Sequence, residues 1–173
     1  MIDTRWEWTN STGGPLILAE TGIARHWRGT LGNSDSLSDG KMTDYDRACQ
    51  KTEYLQTICC AEGKALVLGD EPLQSAVTVG KFGEPLVVRW IYSSGLITTE
   101  MFSTLTSFPE IAPRNLFRVL TGEMLLFDSS ENLEMSWRTH SVYKFPSGSY
   151  DVTTEEMLVE NQRHFLIHRF IRN

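Results

Sequence analysis

What most constrains the fold of this chain is the brevity of its apolar runs and the turn residues that close them. "LQTICCAEGKALVLG" at 55–69 holds two apolar runs around "AEGK", the pattern of a hairpin with a Gly-bearing loop. "SAVTVGKF" and "PLVVRWIYS" follow, split by "GEP", and "PLILA" at 15–19 follows a Gly-Gly-Pro turn. "LFRVLTGEMLLFD" has a central glycine, Gly122, at a position that suits a turn or a bulge. The tail "FLIHRFI" at 165–171 puts Phe165, Ile167, Arg169 and Ile171 on one face of a strand and Leu166, His168 and Phe170 on the other. "LEMSWRTHSVYKF" mixes polar and apolar residues before a "PSGS" turn.

Helix signals are fewer. The stretch 21–27 carries one and 43–54 a better one, while 96–108 fits either strand or helix. The segment 153–163 opens with "TTEE", a capping-box pattern, but its surroundings favour a hairpin. The Gly-, Ser- and Asp-rich stretch 29–42 reads as an exposed loop. The expected fold is α+β: a single domain over residues 1–173, with a mostly antiparallel, curved sheet and two or three short helices. A length of 173 residues with 40% hydrophobic content suits that size.

The acidic residues raise the question of function. Asp44 and Asp46 stand two apart in "TDYDRACQ", and Asp70 and Glu71 follow in "ALVLGDEPL". Thr43 is a good helix N-cap, and Asp46 at the third helical position completes a capping box. Asp44 lies in the same first turn, so both carboxylates meet the positive end of the helix dipole without any chemistry being needed. Glu71 precedes Pro72, which holds it extended, as at an exposed turn. The sequence has no EF-hand loop, and nothing in it supports a glycosidase-type carboxylate pair. His164 and His168 are four apart, but no Glu stands between them as in HExxH. No nucleophile elbow, Walker A or dinucleotide fingerprint is present. The expectation is therefore no catalytic residue, no metal and no cofactor.

Cys49, Cys59 and Cys60 form no disulfide or zinc pattern and read as buried reduced thiols. Trp6 and Trp8 alternate around Glu7 on one side of an N-terminal strand. With Trp27 they suit core packing first, and an interface or base stacking after that. The formal net charge of −6 argues against direct nucleic-acid binding and is compatible with a basic protein partner. No apolar run reaches the length of a membrane span. The opening "MIDTRWEWTNSTGG" has neither the basic start nor the apolar stretch of a signal peptide, which places the chain in the cytoplasm.

"WEWTNSTGGPLILAE", "HWRG", "TDYDRACQ" and "ALVLGDEPL", in that order and spacing, resemble the immunity protein 21 family. "SGSYDV" and "FLIHRF" are similar to its C-terminal end. The likeness is densest over 6–74. Cys59 and Cys60 stand where small or aliphatic residues are expected, and "TTEEMLVENQ" lies outside the pattern. The family comprises bacterial antidotes encoded beside polymorphic toxin genes.

The resemblance implies a non-catalytic protein whose partner is a cognate toxin domain acting in the cytosol. Many such toxins attack nucleic acid through a basic groove, which an acidic protein can cover. Asp70 and Glu71, with Asp128, Glu131 and Glu134 of "DSSENLE", are the candidate toxin-binding acids; Thr43, Asp44 and Asp46 are assigned to the helix cap. Two other readings stand beside this one. One is a small enzyme that reverses toxin damage with the acidic cluster, and the other a ligand-binding or structural module that dimerises through its aromatic strand. Monomer and homodimer both remain open.

Overall fold

The "AEGK" hairpin forms as its sequence dictates. Strands β2 (Gln56–Cys60) and β3 (Gly63–Leu68) pair antiparallel, with Cys60 opposite Gly63. Ala61 and Glu62 make the turn, and Ala61 takes φ +50, a left-handed conformation unusual for a residue with a Cβ. A computed structural model describes residues 7–69, 71–159 and 162–173. In it β3 pairs with β1 (Leu16–Glu20), which pairs in turn with β7 (Glu123–Asp128), and β8 (Val142–Lys144) completes a five-stranded sheet in the order β2-β3-β1-β7-β8.

A second five-stranded sheet has the order β4-β5-β10-β9-β6, from β4 (Ser75–Val79), β5 (Pro85–Ser93), β10 (Arg163–Arg172), β9 (Gly148–Val159) and β6 (Glu110–Val119). Every strand pair with a defined register is antiparallel. The expected antiparallel character holds, but the strands divide between two sheets rather than forming one. The partition follows from pairings between strands far apart in the chain, such as β5 with β10, and the chain leaves β6 for β7 of the other sheet through Gly122, with φ +83, instead of turning back as a hairpin.

The chain accordingly forms two compact units. One comprises residues 9–72 and 121–143 and holds the first sheet. The other comprises residues up to 8, 73–120 and 144–173 and holds the second.

In the first unit, Ile17, Ala19, Ala65, Val67, Leu125 and Phe127 project from one face of the sheet. They pack with Trp27, Ala48 and Leu133. Three short helices serve this unit, namely α1 (Thr21–Ala24), α2 (Asp44–Cys49) and α4 (Leu133–Ser136), with 3-10 turns at Gly29–Leu31 and Trp137–Thr139. In the second unit, Leu86, Val88, Met157, Phe165 and Ile167 form the core with Phe102 of α3 (Thr99–Ser103). The rings of Phe102 and Phe165 meet edge to face at 5.4 Å.

The described residues thus hold four short α-helices rather than two or three. The ambiguous 96–108 resolves as one helical turn between loops. The described residues of 153–163 belong to the antiparallel pair β9–β10, with Arg163 opposite Val159, as the expected hairpin requires.

Candidate functional site

All the acids singled out by sequence lie in the first unit, so its construction decides what they can do. Thr43 and Asp46 form a capping box at the start of α2. Thr43 Oγ1 accepts from Asp46 N at 3.1 Å, and Asp46 Oδ2 accepts from Thr43 N at 3.1 Å and from Thr43 Oγ1 at 2.7 Å. The hydrogen bonds from Thr43 hold the Asp46 carboxyl below its ordinary value.

Asp44 differs from the sequence expectation of an exposed dipole partner. It is fully buried. Its carboxylate accepts from Arg28 N at 2.9 Å, Ser34 N at 2.9 Å, Ser34 Oγ at 2.9 Å and Arg47 Nη1 at 3.0 Å. Arg47 also donates to Asn33 Oδ1, to Asp35 Oδ2 and, at 2.6 Å, to Cys59 O. The first half of the polar loop 29–42 is therefore folded around one carboxylate, which satisfies the backbone donors of Arg28 and Ser34.

The cysteines also differ from expectation. Only Cys60 is buried, and Cys49 and Cys59 are exposed. Alternation along β2 turns Cys60 inward and Cys59 outward. Burial pushes the Cys60 thiol up to about 11, which keeps it protonated.

Three stretches distant in sequence meet at a cleft of about 220 Å³. Gly13–Pro15 supply one wall, Cys49 and Lys51 the end of α2, and Gly69, Glu71 and Pro72 the exit from β3. Two glycines make this approach possible. A Cβ on Gly14 would stand 2.5 Å from Tyr45 Cε2, and one on Gly69 would strike the backbone oxygen of Glu53. Glu71 is exposed at the rim, and Asp70 lies outside the described residues.

The 128–134 acids divide. Asp128 is 2% exposed, and its carboxylate takes bonds from Thr12 N, from Thr12 Oγ1 at 2.8 Å and from Ser130 N at 2.8 Å. It anchors the 11–14 turn and is buried rather than at the surface. Glu131 reaches solvent and bonds His140 Nε2 at 3.0 Å. That bond raises the His140 pKa above its ordinary value, against the effect of burial. Glu134 is exposed and pairs with Arg28 Nε at 3.0 Å.

The remaining candidates are structural. Trp8 stacks at a tilt on Trp90, 5.7 Å between centroids, and Trp27 is fully buried with its Nε1 donating to Ser129 O at 2.9 Å. Trp6 lies outside the described residues. His164 and His168 sit on strand β10. His164 bonds Glu156 at 2.8 Å, and His168 is buried with Nδ1 3.0 Å from Thr154 Oγ1. Among the described residues, no three His, Cys, Asp or Glu side chains gather in a way that could hold a metal ion, and no helix is long and apolar enough to cross a membrane.

The charge partition was missed at the level of sequence. Segments 9–72 and 121–143 carry thirteen acidic and seven basic residues, and the remaining segments carry nine of each. The whole net charge of −6 therefore belongs to the first unit, and the signal was countable once the segments were known.

A family model for immunity protein 21 matches residues 7–162. The chain belongs to that family. No curated protein and no solved structure matches it. The family's name points to a toxin as the partner. Within this immunity protein, the cleft is walled by Gly13–Pro15 of "STGGP", by Cys49 of "DYDRAC" and by Gly69, Glu71 and Pro72 around "LGDEP", all in the acidic unit.

Proposed function

We propose that this immunity protein is a non-catalytic antidote that binds a cognate bacterial polymorphic toxin in the cytosol and neutralises it by covering its active or substrate site. The observation that carries this reading is the family match across residues 7–162. The charge partition supports a partner with a basic groove, such as a toxin that acts on nucleic acid. An acidic face raises the encounter rate with such a groove and sets orientation. Glu71, Glu131 and Glu134 are the solvent-reaching acids assigned to that role, and Asp70 is assigned to it from the sequence alone; the buried Asp128 is not among them. The complex is 1:1 and buries about 1,600 Å² in total, the usual extent for specific pairs.

The test is a pull-down of the tagged protein against the toxin domain encoded by the neighbouring gene, with growth rescue on co-expression. A stable complex with rescue is the expected result. Rescue without a complex would overturn occlusion in favour of repair chemistry. In that case Asp70→Asn with Glu71→Gln should abolish protection while the fold survives. The association rate should fall about tenfold or more between low and physiological salt, and a flat response would remove electrostatic steering while leaving occlusion in place.

A further inference from the structure

The acidic unit holds a second hollow, of about 460 Å³, that shares no lining residue with the cleft described above. Its volume falls in the range of small-molecule sites, roughly 300–1,000 Å³. Three stretches wall it. Gly22, Ile23, Arg25 and His26 come from α1 and its exit, Ser34 and Ser36 from the polar loop, and Ala61 and Glu62 from the β2–β3 turn.

These stretches are fastened to one another. Ala61 N donates to Ser34 O at 3.0 Å, and Cys60 Sγ donates to Ile23 O at 3.4 Å. Ser34 Oγ donates to the buried Asp44 at 2.9 Å. A Cβ on Gly63 would strike Ile23 Cδ1, so Ile23 lies hard against β3. Walls tied in this way are preformed, and a ligand has little ordering to do when it enters.

The charges on the hollow are opposite and unused. Arg25 donates Nε to His26 Nε2 at 3.3 Å, which leaves the two terminal guanidinium nitrogens free and makes the second ring nitrogen of His26 a donor. Neither those nitrogens, nor the Ser36 hydroxyl, nor the Glu62 carboxylate has a hydrogen-bond or ion-pair partner among the described residues. The neighbouring acids Asp35 and Asp44 are occupied by Arg47 at 3.1 and 3.0 Å. Arg25 and Glu62 thus share one cavity without pairing with each other. A ligand with a single charge would satisfy one of them and meet the other as a like charge. A ligand with a carboxylate and an ammonium satisfies both, the first through the guanidinium fork and the second through the carboxylate. Ile23 and Ala61 add apolar wall, and a Cβ on Gly22 would meet nothing within 4 Å, so there is room for a carbon skeleton.

We propose that this hollow binds a free apolar α-amino acid as its zwitterion. The ligand carboxylate lies on Arg25 and the Ser36 hydroxyl, its ammonium on Glu62, and its side chain against Ile23 and Ala61. The proposal goes beyond the antidote reading and does not depend on it.

The experiment is calorimetric titration of the full chain with L-alanine, L-valine, L-leucine, L-methionine and L-phenylalanine, each taken to about 10 mM. The expected result is binding of at least one. Its amide, which lacks the carboxylate, and its N-acetyl derivative, which lacks the ammonium, should each bind about tenfold more weakly or worse. Arg25→Gln should erase the advantage over the amide, and Glu62→Gln the advantage over the N-acetyl derivative. Both side chains are exposed, so the variants should melt as the wild type does. Binding of none of the five amino acids would overturn the proposal. So would equal binding of the derivatives, or full binding by both variants. Toxin binding enters none of these outcomes, so the antidote reading stands or falls by its own test.

Discussion

Asp44 of the acidic unit and Glu155 of the neutral unit are both buried against an arginine, but two further buried carboxylates of the acidic unit, Glu20 and Asp128, keep different company. In the neutral unit, Glu155 is met by a cation. Arg169 donates to it through Nε at 2.8 Å and Nη2 at 3.1 Å, and to Glu84 through Nη1. Burial works against the charge on Arg169, and the bonds and charges of Glu155 and Glu84 outweigh it, leaving the guanidinium above its ordinary value. In the acidic unit, Glu20 and Asp128 are met by backbone N–H groups and threonine hydroxyls. Glu20 takes Thr121 N, Thr121 Oγ1 and Gly122 N, and Asp128 takes Thr12 and Ser130. Neutral donors satisfy a carboxylate without cancelling its charge. Part of the potential of the acidic unit is therefore fixed by the way its loops are pinned, not by surface decoration.

The sharpest way to break this contrast is to remove one anchor from each unit. Glu155→Ala leaves Arg169 buried beside a lost partner and should lower stability by about 3–5 kcal/mol. Asp128→Ala strands neutral donors, some of which water can reach, and should cost about 1–3 kcal/mol. Urea denaturation of both variants decides. Equal losses would mean that the kind of partner does not matter.

The same two variants bear on domain count. The β5–β10 pairing closes a chain loop that contains 121–143, and the β1–β7 pairing closes one that contains 73–120. We propose that the units unfold as one domain, so that calorimetry finds a single transition shifted by either variant. Two separable peaks would refute this.

Two histidines sharpen the comparison at the next level. His168, in the neutral unit, is fully buried, and desolvation, helped by the nearby charge of Arg89, holds its pKa well below the ordinary value. It stays neutral when folded and protonates when unfolded, so below about pH 6.5 the unfolded state binds the extra proton and stability falls. His168→Gln should flatten that acid limb, by up to about 1.4 kcal/mol per pH unit. His140, in the acidic unit, is shifted upward by Glu131. Its contribution is fully present below about pH 6.5 and is lost as pH rises through the folded value, so Glu131→Gln should weaken the protein on the acid side only. Stability against pH for both variants tests the two signs, and a shared sign would end the contrast. The smallest effect is local. Ala61→Gly relieves a left-handed residue and should raise stability by about 0.5 kcal/mol in the same denaturation assay.

Much of the local structure was legible. The β2–β3 hairpin, the tail strand β10 and the start of α2 each follow from a period of two or from a cap with its N3 partner. The partition into sheets was not, because it is decided by pairings such as β5 with β10, which lie far apart in the chain. The burial of Asp44 was hidden for a related reason. An acid in the first turn of a helix reads as a dipole partner, and only the return of residues 28–34 over it makes it a hub. Asp128 resembles an exposed turn acid in "DSSEN", yet its partner is Thr12, 116 residues away. Glu71, fixed by Pro72 at a strand exit, is exposed as its neighbours suggest. The cleft required three separated stretches to meet, and the glycines that allow this show their purpose only when the opposing atoms are known.

The interleaving of the units has a consequence for heredity. The chain passes from one unit to the other four times, at 8/9, 72/73, 120/121 and 143/144. Any single crossover between two genes of this kind divides the neutral unit between parents, and the acidic unit passes whole only when the breakpoint falls outside residues 9–143. Joining one parent's acidic unit to the other's intact neutral unit therefore takes four crossovers, one at each junction, so a clean exchange of the acidic unit is a far rarer event than a substitution within it.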